Sequence, residues 1–316
     1  MSNQNTQSLQ NTQSLGPIAA RNLSTSSVTI PQWEHITPRW LLHLLPYVNV
    51  DGGAYRVNHV QEKKGKGGGL LPELTTVGGG ENQLPTTYVD YEETPREYEL
   101  SAITTVLHTH ARITDLYNNK IDQLREQVRL TVEAVKEREE DEILNHPEFG
   151  LLKEVAPHQR IATRKGPPTP DDLDDLLTLV WKKPAFFVAH PRTIAAFGRE
   201  ATRRGVPPVV VHLFGSPFIT WRGVPLIPSS KIPVSKENTS RILLLRVGEN
   251  MRGVVGLQKV GVSGEIEPGL SVRYSGTNDN AIASHLVTRY FSVAVLANDA
   301  LASLDNVVLS HYHEYV

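Results

Sequence analysis

The residues that could do chemistry in this 316-residue chain fall into a few short strings. His108-Thr109-His110 sets two imidazoles two positions apart in a stretch whose apolar spacing predicts a helix, where they would not share a face. His311, His313 and Glu314 are a better set. On a strand the two histidines share one face and Glu314 takes the other, with no third ligand fixed by spacing. There is no HExxH string. With no Cys, disulfides and Cys-ligated zinc or iron–sulfur centres are excluded. The glycine clusters make no phosphate loop, because Gly65-Lys66 is followed by Gly67 where Ser or Thr is needed. No GxGxxG opens a helix after a strand, and no GxSxG elbow occurs. The carboxylate pairs Asp171/Asp172 and Asp174/Asp175 are explained by helix capping and solvation. The expectation is therefore a non-enzyme, with no catalytic, cofactor-binding or metal-ligating residues.

Charge and hydropathy narrow the class further. The 32 Lys+Arg and 34 Asp+Glu give a net charge of -2, which disfavours bulk nucleic-acid binding. No apolar run reaches membrane-spanning length; the nearest, residues 40–45, is limited by His43 and Pro46. Residues 1–27 are polar, carry NTQSL twice, and have no apolar core of a secretory signal. They read as a flexible N-terminal segment. A cytoplasmic protein without integral membrane association is expected, and the sequons at Asn22 and Asn238 are taken as coincidence.

The longest predicted element lies at residues 99–145. Leu100, Ile103, Leu107, Ile113, Leu116, Tyr117, Ile121, Leu124, Val128, Val132 and Val135 mostly step by three or four, without Pro or Gly. One helix of about 45 residues, roughly 65–70 Å long, is predicted. It reads as a spine with one face on a sheet. Its acidic end, residues 137–142, reads as solvated surface, unfavourable at the negative helix terminus unless the helix ends elsewhere or a basic partner is present.

Before that spine, residues 28–53 concentrate Trp33, Ile36, Trp40, Leu41, Leu44 and Leu45. Thr37-Pro38 resembles a cap followed by Pro at the first helical position, and Pro46 stops the helix. A helix so short must pack on its own core or a neighbour; the preferred reading is an arm gripping another surface. Residues 54–60, with Tyr55 and Val57, and 86–92, with Tyr88 and Tyr91, read as two strands of an extended hairpin. The intervening 61–81 is rich in Gly and carries Lys63, Lys64 and Lys66. After the spine, residues 162–170 mark a boundary. Thr169-Pro170-Asp171-Asp172 then starts a helix, residues 185–189 form a buried strand, and residues 191–204 form a helix with Ile194, Ala195, Phe197 and Ala201 inward. Further strands are predicted at 209–213, 241–247, 252–260, 270–274, 286–296 and in the last apolar run, 307–316; residues 221–228 read as a turn into an extended edge.

The string Ile36-Thr37-Pro38-Arg39-Trp40-Leu41-Leu42-His43-Leu44-Leu45, then Gly53-Ala54-Tyr55-Arg56-Val57-Asn58, resembles the N-terminal region of family 2 (subgroup A) encapsulin shell proteins. The turn at 221–228 supports the likeness, which extends in architecture from about residue 28 to the end. The resemblance implies an α+β tailed-bacteriophage major capsid protein-like fold. It divides the chain into an N-terminal arm (28–53), an extended loop (54–98), a peripheral domain with the spine helix (99–168), an axial domain (169–268), and C-terminal return strands of the peripheral domain (269–316). It also implies a homo-oligomeric icosahedral nanocompartment of about sixty subunits without packaged nucleic acid. The arm residues named above and Tyr55, Val57, Tyr88 and Tyr91 would hold neighbours together; pore-lining residues are not indicated. The implied cargo is a cysteine desulfurase of sulfur metabolism, whose pyridoxal phosphate belongs to the cargo and not the shell. The spacing around residues 231–241 leaves no room for the inserted cyclic-nucleotide-like domain of another subgroup.

Three alternatives remain open at the level of sequence. A tailed-phage or prophage major capsid protein would fill with DNA. An enzyme using residues 61–81 as a substrate loop would turn over as a small oligomer. A smaller, non-icosahedral scaffold or peripheral membrane complex would form no closed particle.

Overall fold

In a computed structural model, residues 37–58, 91, 94–110, 123–279 and 282–312 are described. The first elements are helix α1 (Trp40–Leu44) and strands β1 (Tyr47–Asn49), β2 (Ala54–Val57), β3 (Arg96–Glu99) and β4 (Ser101–His110). Helix α2 (Gln123–Asn145) and the single turn α3 (Leu151–Glu154) come next. Then follow β5 (Arg160–Ala162), α4 (Pro170–Leu179), β6 (Phe186–Ala189), α5 (Pro191–Arg203), β7 (Val209–Leu213), β8 (Ser216–Trp221) and β9 (Val224–Pro228). The rest is mainly β: β10 (Thr239–Leu245), β11 (Val254–Gln258), β12 (Glu265–Glu267), β13 (Leu270–Thr277), β14 (Ile282–Val295) and β15 (Leu301–Val308).

Two sheets share one core. The seven-stranded sheet runs β5-β15-β10-β6-β9-β8-β7. Along β10, Ile242 and Leu244 face α4 and α5, packing with Leu173, Leu176 and Phe197, while Leu243 and Leu245 face the other way. There they meet Leu41 and Leu45 of the α1 segment, Ile143 and Leu144 of α2, and Phe291 and Val293 of β14. This period-two alternation places β10 between two apolar layers. The six-stranded sheet is organised on β14, which pairs with β11, β13 and β4.

The predicted continuous helix over 99–145 is half right. Its first part is strand: β4 pairs antiparallel with β14 from Ser101↔Phe291 to His110↔Ile282. The three-and-four spacing of Leu100, Ile103 and Leu107 coexists with alternating burial along β4, and Ile103-Thr104-Thr105-Val106 favours the pleated form. The spine is α2 alone, and it does lie on a sheet: Val128, Val132 and Val135 pack on Ile103, Leu107, Leu270 and Val287. Residues 111–122 lie outside the described ones.

Other expectations are also revised. β2 pairs with β3, with Tyr55 opposite Tyr98; the strand expected at 86–92 lies, apart from Tyr91, outside the described residues, as do residues 59–90 and 92–93 as a whole. β9 is interior, between β6 and β8, and not an edge. The turn before it is a two-residue hairpin in which Arg222 and Gly223 take φ of 50° and 83°. The last strand is at Leu301–Val308, earlier than the predicted 307–316, and it pairs with β10 and β5 in the seven-stranded sheet. On α5, Ala196 is buried where Ala195 was expected, and Ala195 is exposed. The start of α4 follows its sequence: Thr169 Oγ1 accepts from the Asp172 amide at 3.2 Å, and Asp172 Oδ2 accepts from the Thr169 amide at 2.9 Å.

Candidate assembly site

The segment from Thr37 to Val50 is clasped by three parts of the chain. Thr37 does not cap α1, whose N-cap is Arg39 without a side-chain bond. Its hydroxyl oxygen instead accepts from the Ser230 amide at 3.0 Å, in the loop after β9. Leu41 and Leu45 are buried in the shared core. Trp40 stacks on Phe214 at 6.0 Å and meets Phe218 edge-on at 5.3 Å. Leu44 packs on the same core. β1 then joins the six-stranded sheet in parallel with β11, opposite Gly256. A Cβ at residue 256 would lie 2.6 Å from the Tyr47 ring, so only glycine admits that approach.

Charge completes the clasp. The Arg39 guanidinium bonds Glu133 and, at 2.6 Å, Glu137. Lys231 Nζ lies 3.0 Å from Glu137 Oε2. Glu139 accepts from Arg289 Nε at 2.9 Å and Nη2 at 2.7 Å, and from the Tyr47 hydroxyl at 3.1 Å. The Arg289 guanidinium sits 5.5 Å from the Tyr47 ring centre. Burial first, then the Glu139 charge, pushes the Tyr47 phenol well up, despite Arg289. Glu140 is fully buried and accepts from Ser229 Oγ at 3.0 Å. Burial pushes its carboxyl up to about 7, assisted by the Glu137 charge and opposed by Ser229, Lys231 and Arg39.

The acidic end of the spine is thus not solvated surface. Glu137, Glu139 and Glu140 are all buried. The exception foreseen for a basic partner applies, with Arg39, Lys231 and Arg289 in that role. Sequence reasoning missed these residues as a unit. The usable signal was the spacing of Glu133, Glu137 and Glu140, which puts three carboxylates on one helix face, together with Arg39 in the arm.

The named assembly residues divide by location. Trp40, Leu41, Leu44 and Leu45 pack together on the core of their own chain. Trp33, Ile36 and Tyr88 lie outside the described residues. Tyr55 donates to Glu249 Oε1 at 3.0 Å, and Val57 packs against Val255, Leu257 and their neighbours. Tyr91 is exposed. Further exposed apolar side chains collect around β7, which among the described residues is the outermost strand of its sheet: Val206, Val209, Val210 and Phe214.

Among the described residues, no cluster of His, Asp or Glu is arranged to hold a metal. His108 Nδ1 is 2.9 Å from Ser284 Oγ, and His311 lies beside Arg203 and Glu200; His313 and Glu314 are outside the described residues. An open groove of about 830 Å³ runs between β3 and the α2–α3 junction, lined by both charge signs and by His146 and His158. Among the described residues, no helix is long and apolar enough to cross a membrane.

Comparison with known proteins gives a consistent result. The family model described as SrpI-like, type 2A encapsulin shell protein, matches residues 57–311. A type 2A encapsulin shell protein of Mycobacterium leprae is 55% identical over 308 residues, covering 96% of this chain and 97% of the relative. The type 2A encapsulin shell protein SrpI of Synechococcus elongatus is 56% identical over 303 residues, covering 95% and 96%. The cryo-EM structure of the holo-SrpI encapsulin complex from Synechococcus elongatus matches with a TM-score of 0.80 at 54% identity, over 96% of this chain and 100% of that one. A Microbacterium phage Oxtober96 chain matches with a TM-score of 0.62 at 11% identity, over 93% of this chain and 99% of that one, a likeness of fold alone.

Proposed function

The chain belongs to the SrpI-like family of type 2A encapsulin shell proteins, and from that membership we propose that copies of it close into an icosahedral compartment of about sixty subunits around an enzyme cargo. It is a structural shell protein and not an enzyme, with the capsid-like α+β fold. The observation that carries the closed compartment is the end-to-end likeness to a subunit of a solved encapsulin complex. The subunit itself supports it: the β7 edge and the β2–β3 ribbon are surfaces that closed packing covers. The arm residues Trp40, Leu41, Leu44 and Leu45 serve assembly by fixing the shape of each subunit before it meets its neighbours.

The proposed cargo is a cysteine desulfurase linked to sulfur metabolism, held in the cytoplasm inside the shell. Pyridoxal phosphate is carried by that enzyme, and the shell contributes walls and pores. The Synechococcus elongatus relative is described as a holo complex, which supports a filled particle here. The test is purification of untagged protein from its native host by sedimentation, with mass spectrometry of what travels with it. Megadalton particles containing a desulfurase and its cofactor absorbance are expected. Particles with another enzyme would overturn the cargo while leaving the shell; DNA-filled particles would replace the reading with a phage capsid.

A further inference from the structure

The junction of arm, spine and axial sheet holds an imbalance of charge. Three carboxylates on one face of α2, Glu133, Glu137 and Glu140, meet two cations, Arg39 from the arm and Lys231 from the loop after β9. Both cations are committed elsewhere: Arg39 bonds Glu133 and Glu137, and Lys231 contacts Glu137. The hydrogen-bond partner of Glu140 is the neutral Ser229 hydroxyl, on Oε1. Its Oε2 is buried with no partner. An ionised carboxylate buried in that condition is costly, and a proton on it restores charge balance.

We propose that the Glu140 carboxyl is a proton-operated latch on the N-terminal arm: protonated, it lets the arm, α2 and the loop at 229–231 close on one another; ionised, it loosens them. The charged groups facing it are Glu137 from its own helix, Lys231 from the loop and Arg39 from the arm. The position of the latch follows from the contacts around it. Thr37 is tied to Ser230, next to the Ser229 that Glu140 holds, and Arg39 is tied to the helix turn that precedes Glu140. Loss of either contact opens the same junction to water.

The sign follows from linkage. Glu140 stands near 7 in the closed subunit, against an ordinary carboxylate value of 4.5. The closed form therefore holds the proton more tightly than the open form. Its advantage is complete in acid and is lost as pH rises through about 7. These contacts lie within one subunit, so the latch does not depend on the chain closing into a shell.

Hydrogen exchange of the full-length protein at Trp40–Leu45, corrected for the intrinsic pH dependence of exchange, reads the opening directly. Opening is expected to rise about tenfold between about pH 6 and about pH 8, then level off. Glu140→Gln should abolish that rise. Ser229→Ala removes a bond that favours the ionised form, so it should move the rise to higher pH. A Glu140→Gln profile that climbs as the unaltered protein does would overturn the latch. Should that variant fail to fold, Ser229→Ala decides: an alkaline displacement supports the proposal, and an unmoved profile overturns it.

Discussion

Glu139 and Arg289 form a buried ion pair between the spine and β14, with Tyr47 of the arm as third member. Such a pair contributes little net stability over apolar packing, but removing one partner leaves a desolvated charge. Arg289→Met should therefore lower unfolding stability by about 3–5 kcal/mol, whereas Arg289→Met with Glu139→Leu should recover most of that loss. Denaturant unfolding of assembly-incompetent subunits checks this, and equal losses in single and double variants would refute it. Little of this group was legible beforehand. A run of glutamates looks solvated unless the arginines that neutralise it are known, and Arg39 and Arg289 are brought there by distant parts of the chain. Leu41 and Leu45 were easier, because a concentrated apolar string has few alternatives to burial.

Elements were readable where their signals are local. The Thr169-Pro170-Asp171-Asp172 start of α4 is written in four residues, and the capping box forms. Thr169→Ala should cost about 1–2 kcal/mol in unfolding free energy, with Thr169→Ser close to unaltered; a neutral Thr169→Ala would show that the cap is redundant. The β4 segment failed for the opposite reason. Its apolar positions fit a helix as well as a strand, and the decision rests on pairing with β14, far along the chain. β9 was misplaced at an edge because Pro225 and Pro228 suggest one, yet it lies between β6 and β8. Proline positions inform on missing donors and say little about which strands arrive on either side.

At the scale of the whole molecule, the capsid-like family was legible from the string at 36–58, while the sharing of one sheet between β5, β10 and β15 was not. Sheet membership depends on how distant segments return, and no local pattern encodes it. Among the described residues β7 is an outermost strand with exposed Val209, Val210 and Phe214 beside it, a hazard for a free monomer that closed symmetry would remove. The central claim is that many copies close around an interior, and the direct measurement is negative-stain electron microscopy of the purified full-length protein, with particle mass from light scattering. The account predicts uniform closed shells of one diameter and megadalton mass. Monomers or dimers persisting across salt and protein concentration would contradict it.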